Sequence, residues 1–160
     1  MRQLFYVVQK GCIMVYLILL LSFIGFELYL KARAQKELSS SESIVAFGGK
    51  IRLHQYHNQG AFLNMLQSRR RFLLLLSCLL TLAIGCLFLI TLFRHGNHLL
   101  KLGLTLLLGG AFCNTYDRLK KKYVVDYFSF HTSFPALNRI VFNLSDFAIL
   151  IGSLLSVIGS

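Results

Sequence analysis

The sequence predicts an all-α integral membrane protein with four transmembrane helices and a small β-containing loop region, folded as one domain over residues 1–160. Three observations predict it. Hydrophobic residues make up 56% of the chain, more apolar surface than one soluble domain of this length can hide. Mean hydropathy is +0.63. Finally, Phe72 to Phe93 runs without a charge between Arg71 and Arg94, long enough to cross ~30 Å of hydrocarbon at ~1.5 Å per residue.

The first helix is expected at about 8–30: Gly11 to Phe26 is uncharged, and the apolar run continues to Leu30 around a single Glu27. Arg2 and Lys10 ahead of it resemble the start of a secretory signal. No small-x-small cleavage site follows, so the segment is expected to stay attached. The polar stretch 31–71 has three parts. Lys36 to Glu42, with Ser39 to Ser41, reads as a surface loop, and Ile44 to His54 as a short hairpin around Gly48 and Gly49. Ala61 to Leu66 reads as a short amphipathic helix on the membrane surface. The second helix is expected at 72–93. The third, at about 98–117, carries Lys101 near its end, where the side chain is expected to snorkel to the headgroups. The fourth, at about 140–159, has Asp146 as its only charge.

A formal charge of +11 would suggest a nucleic-acid partner in a soluble chain. Here the bases flank the spans, as Arg69 to Arg71 and Lys120 to Lys122, so membrane lipids with anionic headgroups are the expected partner and nucleic acid is not. Four spans would put Arg2, Lys10, Arg94 and Lys101 on the side of the termini and the remaining Lys and Arg opposite. The positive-inside tendency alone therefore points to termini outside. Cys12, Cys78, Cys86 and Cys113 lie in or beside apolar runs without C-x-x-C spacing. They read as small buried residues, and no disulfide, metal or cofactor is expected.

Only six carboxylates exist, three of them near the end: Asp117 closing the third run, Asp126 in the following loop and Asp146 within the fourth. An ionised carboxylate in a span costs several kcal/mol unless paired or hydrated, so Asp146 reads as functional. Asn143, three residues earlier, is expected on the same helical face. Asn114, Asp117 and Arg118 repeat the device on the third helix, behind Gly109 and Gly110, which permit close helix approach. Two readings stay open: Asp117 and Arg118 as an interfacial ion pair with Asp146 protonated on Asn143, or Asp126 and Asp146 as a catalytic pair. Two carboxylates held close share a proton, so one serves as general base on water while the other donates to a carbonyl oxygen or leaving amine.

Three ordered motifs carry a resemblance. They are Gly109-Gly110-Ala111-Phe112-Cys113-Asn114-Thr115-Tyr116-Asp117-Arg118, then Val124-Val125-Asp126-Tyr127, then Phe142-Asn143-Leu144-Ser145-Asp146. They resemble the G-G-A-x-G-N-x-x-D-R, V-V-D-F and F-N-x-A-D motifs of the lipoprotein signal peptidase (signal peptidase II) family. Asn58-Gln59-Gly60-Ala61-Phe62 is similar to its N-x-G-A-A-F segment, and Glu27 with Lys31 to its D-x-x-x-K.

The resemblance implies a four-helix membrane aspartyl endopeptidase. Such an enzyme removes the signal peptide from prolipoproteins, cutting before a Cys that carries diacylglycerol. It implies Asp126 and Asp146 as the catalytic pair, with Asn58, Gly60, Asn114, Asp117, Arg118, Asn143, Glu27 and Lys31 in support. It also implies a monomeric enzyme of the bacterial cytoplasmic (inner) membrane with its site near the extracytoplasmic face, against the charge count. Cys113, Ser145 and Glu27 depart from the family's Gly, Ala and Asp, and Phe62 takes a small-residue position. His131, between the two acids, reads as a loop residue. The alternative is a non-enzymatic membrane protein, either a proton relay or transport subunit or a homologue that binds lipidated peptides without cutting them.

Overall fold

The computed structural model describes residues 2–41, 43–60 and 69–160, with side chains described from residue 11 onward. The expected helix at Ala61 to Leu66 lies outside the described residues. Three helices are long and apolar enough to cross a membrane: α1 (Arg2–Glu37), α2 (Arg70–Leu92) and α3 (His98–Lys121). Their outward faces carry large apolar side chains such as Leu21, Leu82 and Ile90, each more than half exposed, as lipid-facing surface requires. A four-residue helix α4 (Pro135–Asn138) leads to α5 (Leu144–Ile158), which is apolar but only 15 residues long. At ~1.5 Å per residue it spans ~22 Å, short of a full hydrocarbon core.

The bundle is capped at one end by an antiparallel sheet of order β1-β2-β3-β4, formed by β1 (Ile44–Ala46), β2 (Ile51–Asn58), β3 (Val124–Phe130) and β4 (Val141–Phe142). The hairpin expected at 44–54 is present, with a single 3-10 turn at Phe47–Gly49 in which Gly48 and Gly49 take positive φ. The sheet is larger than a loop feature, however. β2 continues to Asn58 and pairs with β3, placing Asn58 opposite Val124 and Tyr56 opposite Asp126. Asp126 therefore stands on a strand, not in a loop. Its neighbours Val124, Val125, Tyr127 and Phe128 are β-branched or aromatic, the composition that fits a pleated, half-buried surface.

α3 is the central helix, packed on α1, α2 and α5. Its two adjacent glycines serve different neighbours. A Cβ on Gly110 would stand 2.5 Å from the Ser145 carbonyl of α5, and one on Gly109 would stand 2.7 Å from the Phe23 ring of α1. From the other side, a Cβ on Gly152 would meet the Leu107 nitrogen at 2.5 Å. Backbone-to-backbone contact of this kind is how small residues pack membrane helices. Away from the sheet, Tyr16, Leu20, Phe88, Leu92 and Leu104 form an apolar core between α1, α2 and α3. Lys101 does not snorkel. It is buried and donates from Nζ to the Arg94 carbonyl just beyond α2, where a cation complements the helix's negative end.

Candidate active site

The two late acids arrive from different elements, Asp126 from β3 and Asp146 from the first turn of α5, and line one cavity of about 400 Å³. Asn143 joins them. Its Nδ2 donates to Asp126 Oδ1 at 2.6 Å, its backbone N–H donates to Asp146 Oδ2 at 3.1 Å, and its Oδ1 accepts the Asp146 N–H at 3.1 Å. The last two bonds form a capping box, so Asn143 is the N-cap of α5, with extended backbone (φ −129°, ψ 172°), and not part of the helical face expected for it. The sequence N-x-x-D thus cannot help bringing the amide and the carboxylate together: the cap geometry requires it.

The remaining carboxylate oxygens are also met by amides. Asn58 Nδ2 donates to Asp126 Oδ2 at 3.0 Å, and Asn114 Nδ2 to Asp146 Oδ1 at 3.0 Å. Gly60 N–H holds the Asn58 side chain by its Oδ1, and Arg118 holds the Gly60 carbonyl at 3.1 Å and the Asn114 carbonyl at 3.4 Å. Burial, with the Asp146 charge second, raises the Asp126 carboxyl to about 7. Amides orient both acids without adding a full charge, which leaves room for a shared proton.

Beneath this layer lies an ionic cluster in which Glu27, Lys31 and Asp117 are fully buried. Lys31 Nζ sits 2.9 Å from Asp117 Oδ2 and 3.8 Å from Glu27 Oε1, and donates to Asn114 Oδ1 at 2.8 Å. Lys121 meets the other Asp117 oxygen at 2.8 Å, and the Val125 N–H, next to Asp126, donates to Asp117 Oδ2. The expected Asp117–Arg118 ion pair is absent, because consecutive residues of a helix point in different directions. Asp117 turns inward to Lys31, while Arg118 lines the cavity.

Glu27 caps the start of α5 from α1. Its Oε1 accepts the Ser145 N–H at 3.2 Å and Ser145 Oγ at 3.1 Å, and its Oε2 accepts the Tyr127 hydroxyl at 2.9 Å. The same hydroxyl accepts the Leu144 N–H at 3.1 Å. All four orphan N–H groups at this helix start are therefore held by side chains: Asn143 by Asp146, Leu144 by Tyr127, Ser145 by Glu27 and Asp146 by Asn143. Two of the departures noted in the motifs, Glu27 and Ser145, thus touch each other. Cys113 is fully buried beside α1, with Sγ 3.9 Å from the Ile24 carbonyl.

Of the ten residues singled out from the sequence, Asn58, Asn114, Arg118, Asp126 and Asp146 line this cavity, and Glu27, Lys31, Gly60, Asp117 and Asn143 connect to them through hydrogen bonds and ion pairs. Tyr127 and Lys121 were missed. The run of β-branched and aromatic residues through Val124–Phe130 was the available signal for Tyr127, whereas the i, i+4 spacing of Asp117 and Lys121 was the signal for the latter. His131 lies in a loop, its ring 3.5 Å from Arg52, and does not line the cavity. No group of three or more metal-binding side chains occurs among the described residues.

Two carboxylates that share one cavity at the end of an apolar helical bundle are an arrangement that fits a membrane aspartic peptidase. The sequence profile of the family described as signal peptidase (SPase) II matches residues 4–160. The lipoprotein signal peptidase of Caldicellulosiruptor bescii is 35% identical over 142 residues, covering 89% of this chain and 87% of that protein. That of Lactiplantibacillus plantarum is 29% identical over 146 residues, covering 91% and 93%. A bacterial membrane enzyme structure superposes with a TM-score of 0.77 over 90% of this chain and 85% of that one, at 18% identity, a likeness of fold. The chain belongs to the signal peptidase II family.

Proposed function

We propose that this protein removes the signal peptide from diacylglyceryl-modified prolipoproteins, cutting before the lipidated Cys, with Asp126 and Asp146 as the catalytic pair. The observation that carries this reading is the Asn143 bridge, which ties both carboxylates into one cavity. The pair shares one proton. The ionised carboxylate takes a proton from water as the water oxygen adds to the scissile carbonyl carbon, while the protonated partner donates to the carbonyl oxygen. Collapse of the tetrahedral intermediate breaks the C–N bond. The leaving amine receives a proton from the pair, releasing the signal peptide as a carboxylate and the lipidated Cys as a free amine. Asn58, Asn114 and Asn143 orient the acids. Arg118 and Gly60 brace the cavity wall, and Glu27, Lys31 and Asp117 hold the layer beneath.

α5 serves as the fourth span. It packs along α3 and carries no charge after Asp146, and a short span is accommodated by local thinning of the bilayer. Four spans put both termini on one side of the membrane; the family resemblance makes that side the cytoplasm of a bacterial cell, with the sheet and its cavity at the extracytoplasmic face of the inner membrane. The protein acts as a monomer within one domain, residues 1–160.

The test is cleavage of a diacylglyceryl-modified precursor by the purified protein, scored by mass. Wild type is expected to release the signal peptide, and Asp126→Asn and Asp146→Asn to lose more than about a hundredfold in rate while still folding. Normal turnover by either variant would refute the catalytic pair.

A further inference from the structure

A second cavity, of about 310 Å³, shares the Arg118 side chain with the first. Arg70, Arg71 and Lys122 join Arg118 around it, with the apolar Leu73 and Leu74. No carboxylate lines this cavity, and none of the four cations has an ion-pair partner among the described residues. Their hydrogen bonds go to neutral oxygens: Arg70 to the Gln59 side chain, Arg118 to the Gly60 and Asn114 carbonyls, and Lys122 to the Leu119 carbonyl. The chain between Gly60 and Arg69 contains no acid that could neutralise them. Elsewhere at this end of the bundle some cations meet a carboxylate, whereas Lys36, Lys50, Arg52, Arg69, Lys120 and Arg139 have no ion pair among the described residues. Lys121 meets Asp117 and Arg33 meets Glu37.

Four like charges around one small cavity repel one another, and an anion placed among them relieves the repulsion. The position of the ring narrows the choice of anion. Arg70 begins one apolar span and Lys122 follows the end of another, so the cations stand where helices leave hydrocarbon, at headgroup level. Leu73 and Leu74 lie one turn further along the span and offer an apolar wall to an acyl chain. We propose that this cavity binds the phosphate headgroup of an anionic membrane lipid. The shared chemistry is a phosphate oxygen cluster received by guanidinium forks and an ammonium. Because Arg118 also braces the Asn58–Gly60 segment, the bound lipid abuts the wall of the active-site cavity without touching the acids.

The experiment measures lipid association directly and needs no cleavage. The full chain is placed in phosphatidylcholine nanodiscs, and its association with spin-labelled phosphatidylglycerol is compared with that of spin-labelled phosphatidylcholine. Wild type is expected to favour phosphatidylglycerol. Arg71→Gln and Lys122→Gln, both changes at exposed side chains, are each expected to weaken that preference about fivefold. Arg71→Lys is expected to keep most of it. Arg52→Gln, in the sheet and away from the cavity, is expected to leave it unchanged. Equal association of the two lipids, or an equal loss in Arg52→Gln, would show a diffuse field and overturn the site. Displacement of the labelled lipid by inorganic phosphate at constant ionic strength would assign the cavity to free phosphate and overturn the lipid proposal.

Discussion

Asp126 is exposed to less than 2% of its surface, between amides from β2 and from the cap of α5. Burial first and the Asp146 charge second raise its carboxyl to about 7, against ~3.9 for an Asp in an unfolded chain. Between those values the folded state binds more protons than the unfolded one, so stability falls as pH rises from about 4 to about 7 and levels off above. The melting temperature in detergent is expected to decline across that window, with a shallower slope in Asp126→Asn. Equal slopes would place the proton elsewhere. Cleavage is expected to fall above about pH 7 as the shared proton leaves the pair. At this scale the sequence was legible wherever a motif spacing enforces a contact. N-x-x-D at residues 143–146 is a capping box, and its chemistry follows from the helix it starts. Asp117 was harder. Adjacent to Arg118 in sequence, it bonds instead to Lys31, some eighty residues away, and only packing of α1 against α3 could reveal that.

The start of α5 is the element on which the site most depends, because Asp146 lies in its first turn. Tyr127 and Glu27 hold the first two N–H groups there, and neither is a local cap. Tyr127→Phe removes the acceptor of the Leu144 N–H and one donor to Glu27, a loss of ~1–3 kcal/mol for hydrogen bonds that involve a buried charge. Ser145→Ala removes only the hydroxyl bond and leaves the Ser145 N–H on Glu27, so it is expected to cost less. Unfolding of the two variants in detergent checks that order. With Asp146 less firmly placed, kcat in Tyr127→Phe is expected to drop while KM stays near the wild-type value. A KM-only effect would mean that the cap shapes substrate binding instead. The strand bearing Asp126 was read as a loop because its pairing partner, β2, lies across two apolar helices in sequence. A lone run of seven residues shows its composition but not its partner.

For the whole molecule, the charge distribution and the family membership disagree about orientation, and the placement of the sheet matters to the outcome. β1 to β4 gather at the C-terminal ends of α1 and α3 and the N-terminal end of α5, so every residue of the candidate site lies at one end of the bundle. With the site extracytoplasmic, a cysteine introduced at Ser39 in a cysteine-free background is expected to react with a membrane-impermeant thiol reagent added to intact cells. One introduced at Arg94 is expected to stay unlabelled. The reverse pattern would side with the charge count. With the site extracytoplasmic, the lipid cavity proposed above, ringed by Arg70, Arg71, Arg118 and Lys122, gives the bases on that side a physical role in attracting anionic headgroups.

By itself the sequence determined three spans, α1, α2 and α3, since uninterrupted apolar length is a property of consecutive residues that the bilayer reads directly. It also singled out, from local motifs, acids and amides that line the cavity, while passing over Tyr127 and Lys121. Only the tertiary structure decided which oxygen meets which donor: Asn143 bridging both acids, Lys31 neutralising Asp117, Tyr127 and Glu27 capping α5. It likewise decided that Lys101 is buried and that Gly109 and Gly110 face different helices. The reason is the same in each case. A buried polar group must find a partner at hydrogen-bond distance, and in a bundle crossed by a sheet that partner comes from another element, at a separation no local pattern records.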